Sequence, residues 1–232
     1  MGLDKKTFRT RTLTAIVFAA VMLLGMLTNV WTFLLLFFTI MIGCLVEYVR
    51  LIFKFKPALL LLAVLYIVLP LLMMIDLGVD GTLFASGGMG NAFVADVFTP
   101  LLPCAIIFSI WINDTMAYVV GSMIGKTPFS KISPKKTWEG TGGGAILCII
   151  VMAIPGSILP AAKHIPVHHW IAIAALCAIF GTLGDLLESK LKRLANVKDS
   201  GSFMPGHGGF LDRFDSLLLA APAVWVYVKL IM

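Results

Sequence analysis

The chain has 232 residues, of which 59% are hydrophobic and only 13% are charged, and its mean hydropathy is +0.99. A soluble domain of this size does not contain so large an apolar fraction, which excludes a soluble globular protein. The formal net charge of +6 is expected to face anionic lipid and phosphate at a membrane surface, and not nucleic acid. We predict an all-α, polytopic integral membrane protein.

Seven apolar runs predict about seven transmembrane helices, because each run is close to the roughly 20 residues that cross a bilayer. The runs lie near residues 13–28, 30–49, 58–75, 99–123, 142–160, 168–187 and 212–231. No small-residue cleavage pattern follows the first run, and a second run begins almost at once. We therefore expect the first run to be a retained helix and not a cleaved signal peptide.

The cations between the runs predict the orientation. With seven spans, four basic clusters all fall on the side of the N-terminus, which is then the cytoplasmic side. The clusters are Lys5, Lys6, Arg9 and Arg11; Arg50, Lys54 and Lys56; Lys126, Lys131, Lys135 and Lys136; and Lys190, Lys192, Arg193 and Lys198. The opposite side holds mainly Asp76, Asp80 and Asp96, with Lys163. We expect the N-terminus inside and the C-terminus outside.

The cysteines are not arranged for redox chemistry or zinc binding. The chain has four of them, widely spaced within apolar runs, and no C-x-x-C pair. This pattern predicts that they pack in the protein core. They are Cys44, Cys104, Cys148 and Cys177.

A glycine-rich segment after the fourth run resembles a phosphate-binding loop only superficially. Its two glycines, Gly121 and Gly125, are separated by three residues where that loop has four, and it follows an apolar helix instead of a strand. The spacing is typical of close helix packing, and Gly140 and Gly144 repeat it. Lys126, next to Gly125, could still reach a phosphate.

The predicted cytoplasmic loop that follows contains Ser133-Pro134-Lys135-Lys136-Thr137-Trp138-Glu139-Gly140. Its lysines and hydroxyls can bind phosphate oxygens, and Trp138 offers a flat face to a base or to the bilayer interface. A positive-inside anchor with an interfacial tryptophan explains the pattern equally well. Asn113 and Asp114, inside the preceding apolar run, favour a functional site because a buried aspartate needs a partner.

Two acidic segments near the C-terminus share the pattern D-x-x-[D/E]-S. They begin at Asp185 and at Asp212, and residues at i, i+3 and i+4 share one face of a helix. Carboxylates in or beside a membrane helix are expensive and are functional candidates by default. Hard oxygen ligands suit Mg²⁺. The cations and glycines between the two segments suit a phosphate.

The run from Ser189 to Asp215, S-x-x-K-R-x₄-K-D-x-G-x₃-P-G-H-G-G-x-x-D-R-F-D, resembles the signature of the CDP-diglyceride synthases, also called phosphatidate cytidylyltransferases. Asn113-Asp114-Thr115 with Ala117-Tyr118, and the segment from Ser133 to Gly140, resemble the other marks of that family. The resemblance covers most of residues 109–216, whereas the N-terminal spans are similar only in hydropathy. Met204 departs from the leucine, isoleucine or phenylalanine that is usual in the family at this packing position.

The resemblance implies that CTP and phosphatidate react to give CDP-diacylglycerol and pyrophosphate with Mg²⁺. Asp185 and Asp212 would hold the metal, with Glu188 and Asp215 as further ligands or as partners of the ligands. The catalytic set would also include Arg193, Lys198 and Arg213. The substrate-binding residues would be Asn113, Asp114, Lys126, Ser133, Lys135, Lys136, Thr137, Trp138, Glu139, Ser189, Lys192, Asp199, His207, Gly208 and Gly209.

The resemblance further implies an enzyme of phospholipid synthesis in the cytoplasmic (inner) membrane, with its active site facing the cytoplasm. Residues 1–98 would form an N-terminal region of three spans, and residues 99–232 a catalytic region of four. The expected partners are CTP, phosphatidate and the lipid bilayer, without nucleic acid. A second metal, a monovalent cation and a homodimer are left open.

Three other membrane protein classes are alternatives to a cytidylyltransferase. A CTP-dependent lipid kinase would share the spans, the acidic pairs and the basic loops, but would transfer the γ-phosphate. A CDP-alcohol phosphotransferase is excluded, because neither D-G-x-x-A-R nor the downstream G-x-x-x-D-x-x-x-D occurs. A cation or proton transporter would also place carboxylates on helices. It does not explain the cations and glycines beside them.

Overall fold

The computed structural model describes residues 5–54, 56–79, 98–130, 132–204 and 208–232, without the side chains of residues 5–11 and 161. The described residues form two compact units. The first lies within Met1–Pro100 and Leu191–Phe214, and the second within Leu101–Lys190 and Asp215–Met232. The division into segments 1–98 and 99–232 stays a prediction.

The described part of the chain contains seven α-helices and no β-strand. Outside the helices, isolated β-bridges join Pro128 to Thr137 and Met204 to Gly208. The helices are α1 (Lys5–Leu27), α2 (Val30–Ile52), α3 (Leu69–Gly78), α4 (Leu101–Ile124), α5 (Trp138–Ile158), α6 (Val167–Leu194) and α7 (Leu211–Ile231).

Six helical segments are long and apolar enough to cross a membrane, namely α2, Pro57–Gly78, α4, α5, α6 and α7. The first predicted span is represented by a shorter apolar helix, Thr12–Leu27, within α1. The predicted all-α, polytopic membrane class is therefore confirmed, with six spanning helices and a shorter apolar one where seven spans were expected. The orientation stays a prediction, and Asp80, Asp96 and Lys131 lie outside the described residues.

The third span, Pro57–Gly78, changes helix type along its length. It begins with a 3₁₀ segment, Pro57–Leu62, continues as a π-helical turn, Val64–Val68, and ends as α3. The N–H of Leu69 bonds the carbonyl of Val64, five residues back. The next residue is Pro70, which has no N–H to donate to the preceding turn, so the backbone adjusts locally.

The first unit places a carboxylate at the far end of a well-anchored helix. Asn29 caps α2 by accepting hydrogen bonds from the N–H groups of Trp31 and Thr32 at 2.9 and 3.0 Å. Phe33, in the first turn, is fully buried, and its ring lies 5.3 Å from that of Phe98. Glu47 lies about 21 Å further along the helix at 1.5 Å per residue.

In the second unit, α4 and α5 pack closely because glycines replace side chains at their contact. A Cβ on Gly140 would lie 2.8 Å from the Cα of Gly121 and from the carbonyl oxygen of Ala117. A Cβ on Gly144 would lie 2.6 Å from the nitrogen of Ala117. The prediction that these glycines serve helix packing is confirmed.

The four cysteines are buried and form no disulfide bond, as predicted from their positions in apolar runs. Cys148, on α5, shows how they contribute to packing. Its sulfur lies 3.2 Å from the carbonyl oxygen of Ser109 on α4. The thiols therefore belong to the helix contacts and form no cysteine pair.

Gly144→Ala should lower the thermal stability of the protein in detergent. The new methyl group would meet the Ala117 backbone, which cannot move as a flexible side chain can, and overpacking of this kind costs about 1–3 kcal/mol. Gly142→Ala is the matched control, because a Cβ there meets nothing within 4 Å. It should be neutral or raise stability by up to about 1 kcal/mol through helix propensity. Equal unfolding midpoints for both variants would contradict the packing role.

Candidate functional site

Three carboxylates come together in the second unit. Asp185 and Glu188 lie one turn apart on α6, and Asp215 lies on α7. One oxygen from each can be chosen such that all three atoms lie within 4.8 Å of one another. Glu188 is fully buried and Asp215 is 9% exposed, whereas Asp185 is partly exposed. We call Asp185, Glu188 and Asp215 the carboxylate cluster.

A glycine next to Asp185 permits this approach of the two helices. A Cβ on Gly184 would overlap the carbonyl oxygen of Asp215 and lie 3.1 Å from the Cα of Ser216. One turn earlier, a Cβ on Gly181 would lie 3.5 Å from the Cβ of Ser216. The small residues on α6 therefore bring the α7 backbone close enough for Asp215 to meet the α6 carboxylates.

The carboxylate cluster has the chemistry of a divalent cation site. Three negative groups this close repel one another, and burial makes each charge more costly unless a cation compensates it. Carboxylate oxygens are hard ligands, which suit Mg²⁺. Glu188 and Asp215 come from the i+3 positions of the two acidic segments that the sequence singled out, and Asp185 begins the first segment.

The loop before α5 contributes a cation to this cluster. The ammonium group of Lys136 forms an ion pair with Asp185, and both side chains are partly exposed, at 30% and 24%. Lys136 and Asp185 are 49 positions apart along the chain, so two separate sequence motifs meet at this ion pair. Lys136 therefore belongs with the carboxylate cluster, beyond the general phosphate-binding role predicted for it.

Glu139 fastens the same loop to the start of α5. Its carboxylate accepts hydrogen bonds from the N–H of Lys126 at 3.2 Å, from the N–H of Thr127 at 3.1 Å and from the Thr127 hydroxyl at 2.8 Å. The backbone of Trp138 donates to Thr127 at 3.0 Å, and the Trp138 ring lies 4.4 Å from that of Phe129. Glu139, a predicted substrate-binding residue, therefore holds the loop in the structure.

The remaining predicted residues of this loop lie around the N-terminus of α5. Thr137 is its N-cap, with its hydroxyl accepting from the N–H of Gly140 at 3.1 Å. Lys126 and Lys135 are exposed, and the carbonyl of Ser133 accepts from the N–H of Lys136 at 3.1 Å. The two lysines are accessible to an anionic ligand.

Asn113 and Asp114 on α4 occupy different environments. Asn113 is 4% exposed, and its side-chain oxygen has no hydrogen-bond partner among the described residues. Asp114 is exposed. The sequence argument assumed a buried aspartate here, and this was wrong: consecutive residues on a helix point about 100° apart, so only Asn113 faces the interior.

Asp212 is held by a separate set of contacts in the first unit. Its Oδ1 accepts a hydrogen bond from the ammonium group of Lys192 at 2.6 Å. Its Oδ2 accepts from the N–H and the hydroxyl of Ser200, both at 2.9 Å, and from the N–H of Gly209 at 2.8 Å. Asp212 and Lys192, both predicted site residues, thus form an ion pair. They lie beside the loop before α7 that contains Ser200, Gly201, Gly208 and Gly209, which we call the glycine-rich loop.

Glu47, on α2, also binds this loop and was not among the predicted residues. It accepts from the Ser200 hydroxyl at 2.7 Å, from the N–H of Phe210 at 3.0 Å and from the N–H of Leu211 at 2.9 Å. A sequence signal did exist, because Glu47 is a lone carboxylate within an apolar span. Its partners lie more than 150 positions away, and no local pattern indicates them.

The sequence model of the cytidylyltransferase family matches residues 89–231, which is more than half of the chain. The chain belongs to this family. The matched segment contains the carboxylate cluster, the loop with Lys136 and Glu139, and Asp212 with Lys192, but not Glu47. The resemblance seen in the sequence motifs is therefore confirmed at the level of the family.

Several named relatives are similar over 52–62% of this chain. The phosphatidate cytidylyltransferase of Bacillus subtilis is 44% identical over 122 residues, which are 52% of this chain and 45% of the relative. That of Synechocystis is 42% identical over 141 residues, 58% of this chain and 45% of the relative. The chloroplastic phosphatidate cytidylyltransferase 5 of Arabidopsis thaliana is 40% identical over 144 residues, 62% of this chain and 35% of the relative. The chain thus matches less than half the length of each.

The remaining predicted site residues that the structure describes lie near the two sets of carboxylate contacts described above or are exposed. Arg193, Lys198, Asp199 and Arg213 are exposed. The Ser189 hydroxyl lies 3.4 Å from Asp185. Gly208 adopts a φ of +85°, and a Cβ there would press on the Asp212 carboxylate. His207, with Pro205 and Gly206, lies outside the described residues.

Glu139→Gln should loosen the loop between α4 and α5 without unfolding the protein. An amide cannot accept all the hydrogen bonds that the carboxylate accepts, so the loop should open more often. Limited trypsin digestion should therefore cut after Lys126 and Lys135 at least about tenfold faster.

Ser122→Ala is the control for this loop experiment. The Ser122 hydroxyl donates to the Val119 carbonyl of its own helix at 2.7 Å, so its loss should leave cleavage in the loop unchanged. Equal digestion rates for wild type and Glu139→Gln would show that Glu139 does not fasten the loop.

Proposed function

We propose that the chain transfers a cytidylyl group from CTP to phosphatidate, forming CDP-diacylglycerol and pyrophosphate. The observation that carries the proposal is the buried carboxylate cluster with Lys136 beside it, inside the segment that matches the cytidylyltransferase family. The relatives that bear the name phosphatidate cytidylyltransferase support the choice of substrates.

The reaction needs charge compensation more than it needs a base. A phosphate oxygen of phosphatidate attacks the α-phosphorus of CTP, and the bond from that phosphorus to the β-phosphate bridging oxygen breaks. Pyrophosphate takes the bonding electrons and leaves. Both reactants are anions and the nucleophile is already charged, so positioning and cations perform most of the catalysis, as in other phosphoryl transfers.

We propose Mg²⁺ as the cation of the carboxylate cluster, held by Asp185, Glu188 and Asp215. Their hard oxygen donors fit this ion. When bound, the ion neutralises phosphate oxygens and stabilises charge on the leaving group. Direct ligation by Asp212 stays a prediction from the family motif, since its oxygens accept hydrogen bonds from Lys192, Ser200 and Gly209.

The lysines and arginines would bind the anionic substrates. Lys136, which is paired with Asp185 and partly exposed, would offer its ammonium group to a phosphate oxygen of a substrate bound at the cluster. The exposed side chains of Arg193, Lys198 and Arg213 keep the phosphate-binding role that the family motif implies. A guanidinium can bind two phosphate oxygens at once, whereas lysine acts as a point charge.

We further propose that the protein lies in the cytoplasmic membrane with this site on the cytoplasmic side. Six spanning helices support membrane integration. The clustering of lysine and arginine in alternate connections supports the orientation, because such residues are enriched in cytoplasmic loops. CTP is a cytoplasmic metabolite, and this orientation gives it access.

Incubation of the purified protein with phosphatidate and CTP labelled at either the α or the γ phosphorus tests the proposed reaction. The α label should enter the chloroform-soluble lipid, and the γ label should appear in pyrophosphate, because only the cytidylyl group is transferred. Lipid extracted from a parallel reaction with unlabelled CTP gives the background radioactivity. Recovery of the γ label in the lipid would reassign the chain as a CTP-dependent lipid kinase.

Asp185→Asn and Asp215→Asn should weaken metal binding, because a neutral amide is a poor ligand for a hard cation. With Mn²⁺ as the probe, electron paramagnetic resonance titration should show an affinity lowered by up to about 100-fold, since loss of even an outer-shell partner of a metal ligand typically lowers metal affinity about 10–100-fold. Turnover with Mg²⁺ should fall at least as far.

Asp199→Asn is the carboxylate control for the metal titration. Asp199 is exposed and is not part of the carboxylate cluster, so the variant should keep the wild-type Mn²⁺ affinity. Wild-type Mn²⁺ affinity in both Asp185→Asn and Asp215→Asn would remove the carboxylate cluster from the proposed metal site.

A further inference from the structure

Glu47 is a buried carboxylate that the family motif does not include. It lies on α2, outside the matched residues 89–231, and is 6% exposed. Burial of a charged group is costly unless hydrogen bonds compensate it. Glu47 receives three, from Ser200, Phe210 and Leu211 within the first unit. An arrangement this complete indicates that Glu47 and the loop stabilise each other.

Two of these contacts lie at the start of α7. The N–H groups of Phe210 and Leu211 donate to the two oxygens of Glu47 at 3.0 and 2.9 Å. N–H groups in the first turn of a helix have no acceptor within the helix, and the positive end of the helix dipole favours an anion. Glu47 therefore acts as a cap for α7 that comes from another helix, and it fixes the residue just before Asp212.

The loop is folded closely around the same carboxylate. A Cβ on Gly201 or on Gly209 would overlap the Glu47 side chain, so neither position has room for a larger residue while Glu47 is in place. Gly209 also donates its N–H to Asp212 at 2.8 Å. Gly201 and Gly209 thus serve contact with Glu47 in addition to any approach of a phosphate.

Ser200 connects Glu47 to Asp212. Its hydroxyl lies 2.7 Å from Glu47 and 2.9 Å from Asp212, and its N–H donates to Asp212 at 2.9 Å. The hydroxyl has a single proton and can donate fully to only one carboxylate at a time. Lys192 compensates the charge of Asp212 through its 2.6 Å contact. A shift of Glu47 would therefore be transmitted to Asp212 and to Lys192.

We propose that Glu47 is a positioning residue for cytidylyl transfer: it holds Ser200, Phe210 and Leu211 in place so that Asp212 and Lys192 keep their reactive arrangement. The proposal rests on the function proposed above, because Asp212 and Lys192 are site residues of that reaction. Glu47 itself contacts the loop and not the reacting atoms.

The test compares the full-length wild type with Glu47→Gln, which keeps the size of the side chain but cannot accept all three hydrogen bonds. Two measurements are made in detergent. Steady-state kinetics with CTP and phosphatidate varied separately should show kcat lowered at least about tenfold. The KM for CTP and the KM for phosphatidate should each change less than about threefold. Hydrogen–deuterium exchange should become at least about tenfold faster at the amides of Phe210 and Leu211.

Ser200→Ala provides a second variant that leaves Glu47 unchanged. Because Ser200 links the two carboxylates, Ser200→Ala should also lower kcat, and the double variant should be about as slow as the slower single variant. Thr39→Ala is the matched control on α2. The Thr39 side chain is exposed and donates to the Leu35 carbonyl of its own helix at 2.7 Å, so kinetics and loop exchange should be unchanged.

The outcomes separate the two proposals. A folded wild type without cytidylyl transfer would overturn the proposed function, and the positioning role of Glu47 with it. An active wild type whose Glu47→Gln variant keeps its kcat, or keeps slow exchange at Phe210 and Leu211, would overturn the role of Glu47 alone. Independent, additive losses in the double variant would also contradict it.

Discussion

A carboxylate within an apolar helical protein must be compensated, and this requirement organises both units. Burying an ion is expensive, and an isolated buried charge is not tolerated. The first unit compensates Glu47 and Asp212 with backbone N–H groups, a serine and Lys192. The second unit gathers Asp185, Glu188 and Asp215 within a few ångströms and offers Lys136 to one of them. Two different solutions to the same constraint therefore imply two different roles.

In the first unit the donors come from the protein, so the carboxylates there are suited to holding structure. Glu47 and Asp212 together bind the backbone at Ser200, Gly209, Phe210 and Leu211. Ser200 and Gly209 belong to the glycine-rich loop, and Phe210 and Leu211 lie at the start of α7. A segment rich in glycine would otherwise have many conformations available, and fixing it has an entropic cost that these hydrogen bonds offset.

In the second unit the acidic groups are suited to an added cation. Lys136 contributes one positive charge against three carboxylates, and its side chain is partly exposed. The helices that carry the cluster approach closely because Gly184 lets the Asp215 backbone come near. Gly140 and Gly144 likewise let α5 pack closely against α4, and this packing positions Glu139 and the loop before it. Glycine packing thus determines where the charged side chains meet.

Much of this protein followed from its sequence, because hydropathy and local motifs are local properties. The apolar runs predicted the membrane helices, and the spacing of Asp185 and Glu188 placed them on one face of α6. The motifs also predicted the family. The first predicted span is the exception in length, since its apolar helix, Thr12–Leu27, is shorter than the six segments long enough to cross a membrane.

Tertiary structure alone decided which of these residues meet. Lys136 joins Asp185, Glu139 fastens the loop at Thr127, and Asn113 instead of Asp114 is buried. Glu47 finds its partners at Ser200, Phe210 and Leu211, more than 150 positions along the chain. A single sequence records which side chains share a helix face, because that depends on the 3.6-residue turn. It does not record which helix faces pack together, because that depends on the close fit of distant side chains and glycines in three dimensions.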